Sequence, residues 1–170
     1  VPAVVKHLRI TRAQLDARGS AGTIQLGQVY LITAENRLAV GTSTTTYAVA
    51  EKQTDSAIPL VVDGGGVAIT TGTKFAFSVP FACTIVGYDL FGDQTGSIVI
   101  DLKKATYSSY PTTATITASA KPTLSSARKA TSTTLTGWTT AVAAGDVIEV
   151  VVDSVTALLI ATLVLKVRKV

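Results

Sequence analysis

Cys83-Thr84-Ile85-Val86-Gly87-Tyr88-Asp89-Leu90-Phe91 is apolar on both parities, whereas in Ile98-Val99-Ile100-Asp101-Leu102-Lys103 the apolar positions alternate with mixed ones. The first pattern predicts a strand in the middle of a packed sheet, and the second a strand with one face on the core and one wet face. Between them Gly92-Asp93-Gln94-Thr95-Gly96 concentrates turn formers and predicts a reversal. No helix-length apolar pattern separates such runs, which argues for an antiparallel all-β fold over a parallel α/β sheet.

Moving upstream, Phe75, Phe77 and Val79 alternate with Ala76 and Ser78, aiming large side chains at one face until Pro80 ends the strand. Another strand begins near Ile58, and Asp63-Gly64-Gly65-Gly66 forces a turn after it. Downstream, the Ser/Thr-rich segment from Ala105 to Thr136 predicts one short strand near Thr115 to Ala118 between two exposed loops. Order returns at Leu135-Thr136-Gly137-Trp138 and in the run Val147 to Asp153. A final strand places Leu159, Ala161, Leu163, Leu165 and Val167 on one parity. The hydrophobic run Val155 to Leu165 is too short to span a bilayer and is read as a buried strand, with no membrane insertion. The spacing is that of an antiparallel β-sandwich, jelly-roll-like, over residues 57–170.

The N-terminal part reads differently. Thr11 is placed to cap a short helix through Arg12, Leu15 and Asp16, closed by Arg18-Gly19. Gln28 to Thr33 and Arg37 to Gly41 form a hairpin around Ala34-Glu35-Asn36, and Thr44 to Ala50 can add a strand. Glu51 to Ala57 is polar and aperiodic, so residues 1–56 are expected to be a separate helix-plus-hairpin segment.

Composition narrows the function classes. Charged residues make up 15% of the chain and apolar ones 47%, so Ser, Thr and Gly must fill much of the surface. This suits a β surface packed against copies of itself. A net charge of +4 without a dense basic stripe and interleaved aromatics does not suggest a nucleic-acid binder. No secretory signal is read in Val1 to Arg9.

A search for chemistry returns no acid–base set. His7 is the one histidine and sits in a Lys6-His7-Leu8-Arg9 string that fits docking on a partner better than a catalytic triad. One His and one Cys build no zinc centre, and Cys83 in its apolar run reads as a small buried hydrophobe. Asp63, Asp93, Asp146 and Asp153 fall at turns, where capping a loop is the first reading and calcium the second. Gly64-Gly65-Gly66 lacks the Lys and the following helix of a phosphate cradle. The expectation is a non-enzymatic chain without cofactor or metal. Tyr107, Tyr110 and Trp138 are the candidate ligand or partner contacts, with Trp138 read first as a core residue. Lys6, His7, Arg9 and Arg12 are the candidate docking residues.

Leu26 to Thr33 with Asn36 to Gly41, preceded by Val5-Lys6-His7-Leu8-Arg9, resembles the short hairpin near the N-termini of phage tail-fibre and virion proteins. Several later stretches resemble a β-sandwich module of phage structural proteins. They are Asp93 to Asp101, Tyr107 to Pro111, Ile116 to Leu124, Leu135 to Thr140 and Gly145 to Ile148. The resemblance implies a virion surface role as a capsid decoration protein or short head or tail fibre. It also implies a homo-oligomer, with a trimer favoured, that contacts capsid or tail subunits, and an attachment function for the N-terminal segment. The alternative is a carbohydrate- or receptor-binding module that recognises a host surface glycan.

Overall fold

The computed structural model describes residues 8–50 and 54–170, which form two compact units, unit 1 over residues 8–50 and unit 2 over residues 54–170. Lys6 and His7 lie outside the described residues.

In unit 1, β1 (Leu8–Ile10) leads directly into α1 (Arg12–Ser20). A complete capping box starts the helix: the Thr11 hydroxyl accepts from the Gln14 amide and the Gln14 side chain accepts from the Thr11 amide. The helix then buries Leu15. Next come β2 (Val29–Ile32), β3 (Arg37–Gly41) and β4 (Tyr47–Val49), in a sheet ordered β1-β2-β3-β4. The hairpin pairs Val29 with Val40 through Ile32 with Arg37, and Asn36 takes the positive φ its turn needs. Ile10, Leu15, Ile24, Tyr30, Ile32 and Ala39 form a small core. β1, parallel to β2, is a strand the sequence patterns do not single out, because a three-residue run carries no period.

Unit 2 is all-β. It contains β5 (Asp55–Asp63), β6 (Gly72–Ser78), β7 (Cys83–Ala105), β8 (Ala114–Thr115), β9 (Thr123–Ser132), β10 (Ala141–Val142), β11 (Val147–Thr156) and β12 (Ile160–Lys169). All belong to one antiparallel sheet with the path β5-β12-β7-β11-β6, while β8, β9 and β10 also pair with β7. The sheet is curled: Leu60 and Val62 of β5, Leu90 and Ile100 of β7, Val150 of β11 and Leu163 of β12 all join one core. This is the sandwich-like arrangement that the strand spacing implies. β5 pairs through Asp55, Ser56 and Ala57 with Arg168, Val167 and Lys166, so these residues of the polar stretch Glu51 to Ala57 are strand.

Three expectations need correction. Gly92 to Gly96 does not reverse the chain; β7 runs through it, pairing with β12 up to Gly92 and with β11 from Ser97 onward. The glycines serve close packing instead. A Cβ on Gly96 would lie 2.6 Å from the Thr156 carbonyl oxygen and 2.7 Å from Leu158 Cδ2, and one on Gly92 would lie 2.9 Å from the same Leu158 atom. Leu158 therefore fits, fully buried, over both glycines.

The run Val155 to Leu165 is likewise not one strand. It breaks between β11 and β12, where Ala157 has φ 66°. Asp93 Oδ1 accepts from the Leu159 and Ile160 amides, and the Gln94 side-chain amide donates to the Ala157 carbonyl. The break buries Leu158 and exposes Leu159, after which Ala161, Leu163, Leu165 and Val167 face the core.

The Ser/Thr-rich segment holds more structure than the short strand expected there. β8 is only Ala114–Thr115, and the main element is the ten-residue β9, which pairs along β7 from Val99 to Tyr88. Leu124 is its one buried side chain, so β9 forms through backbone pairing with little apolar content.

Candidate functional site

Tyr107 and Tyr110 sit on the loop after β7. The Ser109 and Tyr110 amides both donate to the Thr106 carbonyl, at 3.1 and 3.2 Å, and the Thr106 and Ser109 hydroxyls are 2.8 Å apart. The Thr113 hydroxyl donates to Glu149 Oε2 at 2.7 Å, anchoring the loop to β11. This brings the two rings to a shallow groove of about 480 Å³, shared with Ala76, Phe77 and Ser78 of β6 and Val147 of β11. Tyr107 is 78% exposed and Tyr110 43%. Among the described residues no histidine, carboxylate or amine lines the groove. It offers flat apolar faces and hydroxyls, the chemistry of stacking and hydrogen bonding.

Trp138 does not join the tyrosines. It is 9% exposed, stacks on Tyr88 with centroids 6.0 Å apart and planes 7° apart, and donates from Nε1 to the Ala120 carbonyl at 2.9 Å. It is a core residue, and Phe77, which the alternating pattern marks only as one of the large side chains on one strand face, is the third aromatic of the groove.

Among the docking candidates, Arg12 is engaged within unit 1. Its guanidinium grips Glu35 in bidentate fashion, Nε to Oε1 at 2.8 Å and Nη2 to Oε2 at 2.6 Å, and donates to the Tyr47 hydroxyl at 3.1 Å. Those bonds raise the Arg12 pKa and hold the Glu35 carboxyl below its ordinary range. Tyr47 in turn donates to Asp16. Arg12 thus ties α1 to the β2–β3 turn and to β4. Arg9 is exposed in β1.

The turn aspartates cap loops or form pairs. Asp63 accepts from the Gly65 amide at 2.8 Å, and Asp146 accepts from the Ala143 amide and from Lys104 Nζ, both at 2.9 Å. Asp153 pairs with Lys121 at 2.6 Å. Among the described residues no cluster of His, Cys, Asp and Glu is arranged to hold a metal ion. Cys83 is buried, and desolvation pushes its thiol pKa up.

Asp101, read as part of a wet face, is buried. It accepts from the Thr115 and Thr117 hydroxyls at 2.6 Å each and lies 3.2 Å from Lys121 Nζ. Burial alone would raise its pKa, but the hydrogen bonds from Thr115, Thr117 and Lys121 outweigh that and hold it below the ordinary aspartate value.

A second surface lies on the outer face of β5, β12, β7 and β9. Register places Val61, Thr162, Phe91 and Lys129 in one row and Pro59, Val164, Asp89 and Thr131 in the next. Val61 is 52% exposed, Phe91 45% and Ile160 40%. A shallow groove of about 520 Å³ lies between Phe91, Asp89, Lys129, Ala130 and Thr131. The Lys166–Asp89 and Arg168–Asp55 pairs, both at 2.7 Å, are the ion pairs on this face among the described residues.

The fold therefore defines an all-β, sandwich-like module joined to a small helix-and-sheet unit. No family model matches the chain, and no curated protein resembles it. A solved structure, that of infectious bursal disease virus Gx strain, matches with 13% identity and a TM-score of 0.28, over 75% of this chain and 41% of that one. Agreement that low establishes neither a common fold nor a common function. No helix among the described residues is long and apolar enough to cross a membrane.

Proposed function

We propose that this chain is a non-enzymatic structural protein of a virus particle, a bacteriophage decoration protein or short head or tail fibre. In this reading unit 2 assembles with copies of itself, a trimer favoured, and unit 1 attaches it to capsid or tail subunits. One observation carries the reading: the sandwich presents an apolar outer face, while the edge strands β5 and β6 are guarded against further pairing. Prolines fit sheets with the nitrogen on the open side, so Pro59 takes a donor from the free edge of β5. At the other end of the sheet path, the register of β6 shifts at Lys74, and a charged bulge of that kind discourages further pairing. The outer face, by contrast, presents Val61, Phe91 and Ile160, with the ion pairs Lys166–Asp89 and Arg168–Asp55 towards one end. Exposed apolar patches of this kind mark surfaces that are covered in an assembly.

The direct test is to mix the purified chain with undecorated capsids and measure cosedimentation. Stoichiometric, saturable addition supports the reading; a chain that stays in the supernatant at every ratio counts against it.

A second reading, recognition of a host surface glycan, is favoured by the convergence of Tyr107, Tyr110 and Phe77 on one groove. Open aromatic platforms suit sugar rings. Hits on a glycan array that vanish with Tyr110→Ala support it, and an array without hits removes it.

A further inference from the structure

We infer that the groove between β1 and α1 of unit 1 binds an extended, acidic segment of another protein by adding it as a strand to the free edge of β1. This goes beyond the assembly reading and rests on unit 1 alone. β1 is the end strand of its sheet and pairs only with β2 among the described residues. The Ile10 carbonyl accepts from the Thr33 amide, on the β2 side. Backbone groups alternate sides along a strand, so the N–H and C=O of Arg9 point to the open side. Neither a proline nor a bulge interrupts β1, unlike β5 and β6.

Alongside this edge lies a groove of about 370 Å³ lined by Leu8, Arg9, Ile10, Gln14, Ala17 and Arg18. Leu8 and Ala17 give it an apolar floor, and Arg9 and Arg18 flank it from the strand and from the last turn of the helix. Both arginines are exposed, and neither has an ion-pair or hydrogen-bond partner for its guanidinium among the described residues. The acidic side chains of unit 1 within the described residues are Asp16 and Glu35, and Tyr47 and Arg12 already engage them. The groove is thus left with two uncompensated positive charges beside unpaired backbone groups. A strand carrying carboxylates satisfies both, because guanidinium groups bind carboxylates in planar, charge-assisted pairs. A nucleic-acid strand is a poorer fit, since among the described residues no aromatic ring lines the groove to stack a base.

The test is fluorescence anisotropy on the full chain with a labelled eight-residue peptide alternating glutamate and valine. The same peptide N-methylated at every backbone nitrogen, a lysine–valine peptide and an octamer of deoxythymidine serve as comparisons. The glutamate–valine peptide is expected to bind, more weakly in high salt, and about tenfold more tightly than its N-methylated form, which has no backbone N–H to donate to a strand edge. Arg9→Gln and Arg18→Gln are each expected to weaken it about tenfold with unchanged thermal melts. The inference is overturned if the glutamate–valine peptide does not bind, if the N-methylated peptide, the lysine–valine peptide or the oligonucleotide binds as well, or if both substitutions leave affinity unchanged. Solution mass and capsid addition do not enter these readouts, so this inference and the assembly reading fail separately.

Discussion

Replacing Asp101 with alanine removes an acceptor on which three donors converge: the hydroxyls of Thr115 and Thr117 at 2.6 Å and Lys121 Nζ at 3.2 Å. Thr117 is fully buried, so water does not replace the lost partner. Each neutral hydrogen bond contributes about 1 kcal/mol and a charge-assisted one about 1.5–3 kcal/mol. The Lys121 contribution falls at the low end, because its ammonium is partly exposed and keeps Asp153 at 2.6 Å. The expected loss is about 3 kcal/mol, which for a unit of this size lowers Tm by about 10 °C. Asp153→Ala, acting on the exposed end of the same network, should cost under about 1 kcal/mol. Circular-dichroism melts and urea titrations of the three proteins measure both effects.

Acid provides an independent check. The folded pKa of Asp101 lies below its unfolded value, so its contribution is present in full above about pH 5 and fades as pH falls through the unfolded and then the folded pKa. The stability gap between wild type and Asp101→Ala should therefore narrow as pH is lowered from about 5 to about 2. A variant melting within about 2 °C of wild type, or a gap that persists in acid, refutes the reasoning.

Two further outcomes follow from the packing of β7. Gly96→Ala drives a methyl against the Thr156 carbonyl oxygen and Leu158, and overpacking of this kind should destabilise unit 2 by about 1–3 kcal/mol in urea titrations. Trp138, the one tryptophan, is buried against Tyr88, so its emission should be blue-shifted in the native chain and shift red in a single step with the unfolding of unit 2.

The elements legible in the sequence are those whose cause is local. Thr11 and Gln14 cap α1 across three residues, the β2–β3 hairpin turns on Asn36, and the odd positions 161–167 of β12 give its core face. β9 was hidden because its partner is β7, more than twenty residues upstream, and backbone pairing leaves no mark in a Ser/Thr-rich segment. Gly92 and Gly96 look like turn residues, yet their role is set by Leu158, over sixty residues away. Asp101 reads as a wet position because its burial depends on Thr115, Thr117 and Lys121 closing over it. At the candidate groove, loop position alone marks Tyr107 and Tyr110, while Phe77 shares its parity with core neighbours and Trp138 meets Tyr88 only in the folded sheet.

The proposal that unit 2 assembles through its outer face is tested most directly by the solution mass of the chain and of its Phe91→Glu variant, measured by light scattering over a range of concentrations. Phe91 is exposed in the middle of that face and outside the core, so the substitution leaves the fold intact. A wild type at a multiple of the monomer mass, with a trimer favoured, and a monomeric, equally stable variant is the predicted result. A wild type that remains monomeric at every concentration, or a variant with the same oligomeric mass, contradicts it.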